Sequence, residues 1–185
     1  MPTLLELERE ASGCVRCPLA AGRTNVVFGV GDPEADLMFV GEGPGRDEDL
    51  KGEPFVGRSG QFLDRLMQEE MGISRDQGVY IANVVKCRPP GNRDPEPIEI
   101  ATCRPYLEQQ VALVKPKVVV TLGNFASRLL LDTTEGITKL RGRSYRYGDV
   151  VLVPTYHPSA ALRSGGTGEV AAAMRADLVR AKEHL

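Results

Sequence analysis

The sequence has no stretch of apolar residues near the ~18–20 that a bilayer-spanning helix requires, so no membrane-embedded segment and no membrane partner are expected. It has little charge of either sign in excess: the net charge is −2, which argues against a generally basic nucleic-acid-coating protein. Its first ten residues, MPTLLELERE, carry three acids and no apolar signal core, so export is not expected and a cytoplasmic location is. Repeats, low-complexity tracts and long linkers are also lacking, which leaves a single domain over residues 1–185 as the expected organisation. Histidine is scarce: His157 and His184 are the only two, and the latter is one residue from the C-terminus. The absence of tryptophan by itself excludes little.

What remains is ordinary globular composition, 42% hydrophobic and 26% charged, in a chain long enough to bury a real core. The overall charge hides an asymmetry. Residues 1–78 sum to −7 and residues 79–185 to +5, a weak sign of a basic face in the second half.

The periodicity alternates strands with helices. A short helix is predicted over 4–11. Leu37–Val40, Val79–Val85 and Lys117–Leu122 read as buried strands. Helical spacing is found in Gln61–Met71, in Pro97–Lys115 with an apolar stripe of Ile98, Ala101, Leu107, Val111 and Val114, and in Glu169–His184. Asn124–Leu131 reads as a short helix with Asn124 as its N-cap. Tyr145–Tyr147 and Val150–Val153 flank Gly148-Asp149 as a hairpin. Such alternation implies crossover units, a parallel sheet and helices on both faces, with ligands bound at the carboxyl ends of the strands. Three unusual segments fall there: GEGPG at 41–45, Asn83, and the run Tyr156-His157-Pro158-Ser159.

The four cysteines are Cys14, Cys17, Cys87 and Cys103: a C-x2-C pair, 69 intervening residues, then C-x15-C. With no export signal, disulfides are disfavoured. Four thiolates at these spacings suit either zinc or an iron–sulfur cluster, and spacing alone does not separate the two.

Residues 41–64, GEGPGRDEDLKGEPFVGRSGQFLD, resemble the first motif of the family 4 uracil-DNA glycosylases, the iron–sulfur members of that superfamily. The Cys14/Cys17 pair, NVVKCRPPGNRDP with Asn83 and Cys87, ATCRPYL with Cys103, and YHPSAALR with His157 follow the same pattern, so the resemblance covers roughly residues 12–163. It implies a three-layer α/β/α fold around a short, mainly parallel four-stranded sheet. It also implies a structural [4Fe-4S] cluster on Cys14, Cys17, Cys87 and Cys103, with no catalytic metal. The activity implied is that of a monofunctional glycosylase, a monomer that flips uracil out of single- or double-stranded DNA and hydrolyses its N-glycosidic bond to start base excision repair. A related subgroup carries GEQPG and a basic insertion with a DNA-bonding histidine. Here residue 43 is glycine and residues 88–102 hold no histidine, so that variant is not expected.

On this reading Asn83 matches the N3–H and O4 edge of uracil, because a carboxamide offers an acceptor beside a donor. His157 donates to uracil O2 as charge develops there. Phe55 stacks on the flipped base. Gly43 stands where better-known relatives place an aspartate, which makes Glu42 and Glu48 the acids that would position water or stabilise the sugar cation, with Glu42 and Gly43 also lining the base. Ser59, Arg88, Pro158, Ser159, Leu162 and Arg163 are the expected DNA contacts, with Leu162 as an apolar wedge into the duplex. The alternatives are a superfamily member acting on another damaged base, a non-catalytic iron–sulfur DNA-binding protein, and a zinc-stabilised binding module.

Overall fold

The computed structural model describes residues 1–185. In chain order the elements are α1 (Leu4–Ser12), β1 (Val30–Gly31), β2 (Leu37–Gly41), α2 (Arg46–Lys51), α3 (Arg58–Leu66), β3 (Val79–Asn83), α4 (Pro97–Val114), β4 (Val118–Leu122), α5 (Asn124–Leu131), α6 (Ile137–Leu140), β5 (Tyr145–Tyr147), β6 (Val150–Thr155), α7 (Pro158–Leu162) and α8 (Gly168–Lys182). The sheet order is β1-β3-β2-β4-β6-β5. The central four strands are parallel, and β1 and β5 add short antiparallel edges. The expected four-stranded parallel core is therefore present inside a six-stranded sheet. β1 escaped the sequence because a two-residue strand has no periodicity to detect.

Every residue of β2, β3 and β4 is buried, as a sheet covered on both faces requires. Side chains alternate between two cores. Leu37, Phe39, Ile81 and Val120 pack on α3 and α8 through Leu63, Leu66, Met174 and Leu178. Met38, Val40, Ala82 and Val119 pack on α4 and α5 through Leu107, Val111, Ala126 and Leu130. A small third cluster, Leu7, Ala11, Phe28 and Tyr106, pins α1 to α4.

Three expectations are corrected locally. The helix read from Gln61 begins at Arg58, and its last turn, Met67–Met71, is π-helical. Gly123, not Asn124, caps α5; the Asn124 side-chain oxygen instead accepts from the Ile137 amide at 2.8 Å and ties α6 to α5. On α4, Ile98 and Ala101 face solvent, while Glu99 and Gln110 are fully buried. These polar groups are tolerated because they are bonded: Glu99 takes both Arg93 donors at 2.9 Å, and Gln110 bridges the Phe28 carbonyl and the Lys86 ammonium.

Candidate active site

The four parallel strands end at one edge and open a cleft of about 990 Å³ there. β2 leads into Glu42 and Gly43, β3 delivers Asn83, the turn after β4 delivers Gly123 and Asn124, and β6 leads into Tyr156 and His157. This is the crevice outside the strand carboxyl ends that open α/β sheets use for ligands. The strand pairing continues briefly past Asn83: the amides of Val84 and Val85 donate to the carbonyls of Gly41 and Glu42 at 2.9 and 3.1 Å. The strand read to Val85 thus ends at Asn83, and these bonds still fix the two residues beyond it.

Asn83 is only 2% exposed, and its Oδ1 has no hydrogen-bond partner. A buried amide oxygen without a donor costs roughly 1–3 kcal/mol, so the fold holds an acceptor open there. Gly41 makes room for it: a Cβ on Gly41 would lie 2.6 Å from Asn83 Oδ1 and 2.5 Å from Phe55 Cζ. Phe55 is buried with φ at 54°, a left-handed conformation that bulky residues rarely adopt. Its ring centroid lies 5.7 Å from that of His157, with the planes tilted by 33°.

His157 caps α7. Its Nδ1 accepts from the Ser159 amide at 3.1 Å, and Ser159 Oγ lies 2.8 Å from the same nitrogen. An amide can only donate, so the neutral ring carries its proton on Nε2. Burial, aided by Arg163 and partly opposed by Glu48, pushes this imidazole down to about 4. The ring is therefore a neutral donor at ordinary pH.

The two candidate acids, Glu42 after β2 and Glu48 on α2, both line the cleft but have separate surroundings. Glu48 accepts from the amides of Gly45, Val56 and Gly57 at 3.0, 3.0 and 2.8 Å, which clamps the loop before α3 to the start of α2. Glu42 lines the cleft, and burial together with the nearby Asp94 pushes its carboxyl up to about 7. Gly43 abuts Val85, whose Cγ2 would lie 2.7 Å from a Cβ at that position.

Of the expected DNA contacts, Ser59, Ser159 and Arg163 line the cleft. Arg88 does not line it but donates at 2.6 Å to Oδ1 of Asn92, which does. Pro158 is buried at the first position of α7, and Leu162 packs against the sheet core. Sequence reasoning passed over Arg46, Arg58, Asn124 and Phe125, which also line the cleft. Asn124 was accessible to the strand-end rule, since it lies two residues past the end of β4.

On the α4 side of the sheet, Cys14, Cys17, Cys87 and Cys103 line one cavity, and all four are free thiols. No three histidine, cysteine or acidic side chains are grouped closely enough to hold a single ion. The residues around the thiols nevertheless suit an anionic metal–thiolate group. Arg23 Nη1 reaches the Cys14 carbonyl at 2.5 Å and Cys87 Sγ at 3.5 Å. The Tyr106 hydroxyl is buried beside Cys14 with no conventional partner, and a thiolate or sulfide would accept from it. Burial pushes the Cys87 thiol up to about 11 and Cys103 upward as well, so ligation must displace their protons. Lys86, fully buried between this cavity and the cleft, donates to the Asn83 carbonyl and to Gln110 Oε1, both at 2.6 Å.

Sequence comparison agrees with this geometry. Residues 28–179 match the profile of the Uracil DNA glycosylase superfamily. A protein named type-4 uracil-DNA glycosylase from Thermotoga maritima is 43% identical over 185 residues, covering 98% of this chain and 95% of the relative. One of the same name from Sulfurisphaera tokodaii is 46% identical over 170 residues, 88% of this chain and 77% of the relative. A type-5 uracil-DNA glycosylase from Pyrobaculum aerophilum is 32% identical over 148 residues, 70% of this chain and 63% of the relative. With its strand-end cleft, its four gathered cysteines and this higher identity to type-4 proteins, the chain belongs to the uracil DNA glycosylase superfamily and to its type-4 family.

Proposed function

We propose that the chain is a monofunctional uracil-DNA glycosylase that flips uracil from single- or double-stranded DNA and hydrolyses its N-glycosidic bond. The observation that carries this reading is the unpartnered, buried Oδ1 of Asn83 on the floor of the cleft. Uracil N3–H supplies the missing donor, while the Asn83 amide donates to O4. Cytosine would set its N3 lone pair against that oxygen and its amine against the amide hydrogens. Sites whose buried polar groups are left unpaired reject the wrong ligand strongly.

Each step then has a residue. Phe55 stacks on the flipped base, and the small residues Gly41 and Gly43 let the loop approach it. As the bond to the sugar breaks, negative charge gathers on the uracil ring, and the Nε2–H of neutral His157 donates to O2. The sugar becomes cationic; the carboxylate of Glu42 faces it across the attacking water, and the DNA phosphates add to its stabilisation. Glu48 holds the loop, since its oxygens are occupied by three amides. Arg46, Arg58 and Arg163 contact phosphates, with Ser59 and Ser159 as neutral backbone donors. Such contacts carry no sequence information, so lesion recognition independent of flanking sequence is expected.

Cys14, Cys17, Cys87 and Cys103 would hold a [4Fe-4S] cluster, which would supply a structural cross-link rather than bond-breaking chemistry. What supports that reading is that the four thiols line one cavity beside Arg23 and the unpartnered Tyr106 hydroxyl. The enzyme is read as a cytoplasmic monomer whose 185 residues fold as one domain, and none of its helices is long and apolar enough to cross a membrane. The test is uracil release from a defined oligonucleotide by wild type and by Asn83→Ala. Release of another damaged base but not uracil would favour the broader-specificity reading. Tight binding with no base release would favour the non-catalytic one.

A further inference from the structure

We propose that Arg75 is a positioning residue for uracil recognition: its guanidinium holds Phe55 in the left-handed conformation that places the ring against Asn83 and His157. The proposal rests on the reading of Phe55 as the stacking surface of the uracil site.

Phe55 cannot take φ 54° without a restraint, because its Cβ crowds its own carbonyl oxygen there. Arg75 supplies the restraint from a loop 20 residues away. Nη2 donates to the Phe55 carbonyl at 2.6 Å and Nη1 to the Pro54 carbonyl at 3.1 Å. The remaining face of the fork is fixed, since Nε donates to Asp64 Oδ1 at 2.8 Å on α3. A planar fork with three aimed donors fixes two successive carbonyls as a flexible ammonium cannot. Gly60 completes the seat. A Cβ on Gly60 would lie 1.8 Å from the Phe55 carbonyl oxygen, so α3 presses directly on the strained peptide. On the other side, Gly41 leaves the space that the ring enters, 2.5 Å from where its own Cβ would be. Asp64, Arg75 and Gly60 thus fix the backbone of Phe55, a residue that lines the cleft. Arg75 itself does not line the cleft.

Free of the clamp, Phe55 would relax toward negative φ, and the ring would leave the position from which it stacks on the flipped base. The test is a double-mutant cycle of wild type, Arg75→Ala, Phe55→Ala and the double variant. Single-turnover uracil release is measured at saturating enzyme and across enzyme concentration, alongside the thermal midpoint. Affinity is measured for the same oligonucleotide with a tetrahydrofuran abasic site in place of uracil. Arg75→Ala should lower the saturating rate about tenfold, the change that corresponds to ~1.4 kcal/mol. In the Phe55→Ala background it should lower it less than about twofold, because the ring it positions is gone. Abasic-site affinity should stay within about twofold, and Arg75→Lys should restore only part of the rate. If Arg75→Ala does not fold, Arg75→Lys replaces it in the cycle with a smaller loss of the same pattern. Equal losses in both backgrounds, or no loss in wild type, would overturn the positioning role. A wild-type rate in Phe55→Ala would instead overturn the stacking role of Phe55 on which it rests.

Discussion

Replacing His157 separates transition-state stabilisation from binding. Its Nδ1 is held by the Ser159 amide, so the only proton the ring can offer is on Nε2. With the imidazole pushed down to about 4, roughly one ring in a thousand is charged at pH 7, so a neutral donor is available throughout the physiological range. Loss of one preorganised donor to a developing oxyanion costs ~2.7–4 kcal/mol, or about 10²–10³ in rate. His157→Ala should therefore slow single-turnover release of uracil by that factor. Affinity for a non-cleavable uracil analogue in DNA should fall by less than about tenfold, because phosphate contacts dominate it. His157 also caps α7, and a lost cap costs ~0.5–2 kcal/mol of stability, so the thermal midpoint must be followed. His157→Asn controls for this: asparagine caps well and its amide can donate, so stability should return with part of the rate. The decisive comparison is 5-fluorouracil, a better leaving group that needs less help at O2. The gap between His157→Ala and wild type should narrow on it. A gap of unchanged size would refute the donor role and leave His157 as a support for the α7 loop.

Asn83→Ala and Asn83→Asp should each lose most uracil excision while the thermal midpoint of Asn83→Ala changes little, because no protein donor is orphaned when Oδ1 is removed. Cys87→Ala or Cys103→Ala should lose iron and lower the midpoint more than it alters chemistry per loaded enzyme, since the ligands close a long loop; full iron with unchanged melting would contradict four-cysteine ligation. The rate should rise with pH through about 7 as Glu42 ionises and then level off, and Glu42→Gln should flatten that limb. Because the folded Glu42 holds its proton from its ordinary 4.5 up to about 7, the same group should make the protein lose stability as pH rises through that window. Asp177→Asn should destabilise the chain by ~3 kcal/mol in chemical denaturation, because the buried carboxylate takes bonds from Arg141, Arg180 and Thr155, the residue that leads into His157.

The parallel core was legible because Leu37–Gly41, Val79–Asn83 and Val118–Leu122 are buried on both faces and so read as short continuous apolar runs. Once those strands and their crossovers are assigned, the strand-end rule gathers Glu42, Asn83 and His157 from segments far apart in sequence, and the structure places all three at one cleft. The buried face of α4 was not legible, because Glu99 and Gln110 enter the core only through partners supplied by other elements. Leu162, read as an apolar wedge, lies half-buried on α7 with part of its side chain against the core. No local pattern in the sequence encodes which of two faces a five-residue helix presents.

Glu42 and Glu48 show why residue type and spacing stop short of mechanism. Glu42 lies in the turn after β2 and Glu48 on α2, six residues on, and both line the cleft. What separates them is the supply of amide donors. α2 turns back on the Gly57 loop so that Glu48 meets three N–H groups, which take most of the roughly four acceptor positions of a carboxylate and fix it as a loop clamp. Glu42 sits one residue past the end of β2, where its own backbone still pairs with the segment after β3, and its side chain projects among cleft residues with Asp94 nearby. Desolvation and a like charge both favour its neutral form, which brings its ionisation into the range where a water-orienting base is useful. The glycine at 43 fits the same arrangement. Val85 occupies the space a side chain at that position would need, so the carboxylate of this loop is placed one residue earlier, on the strand end itself.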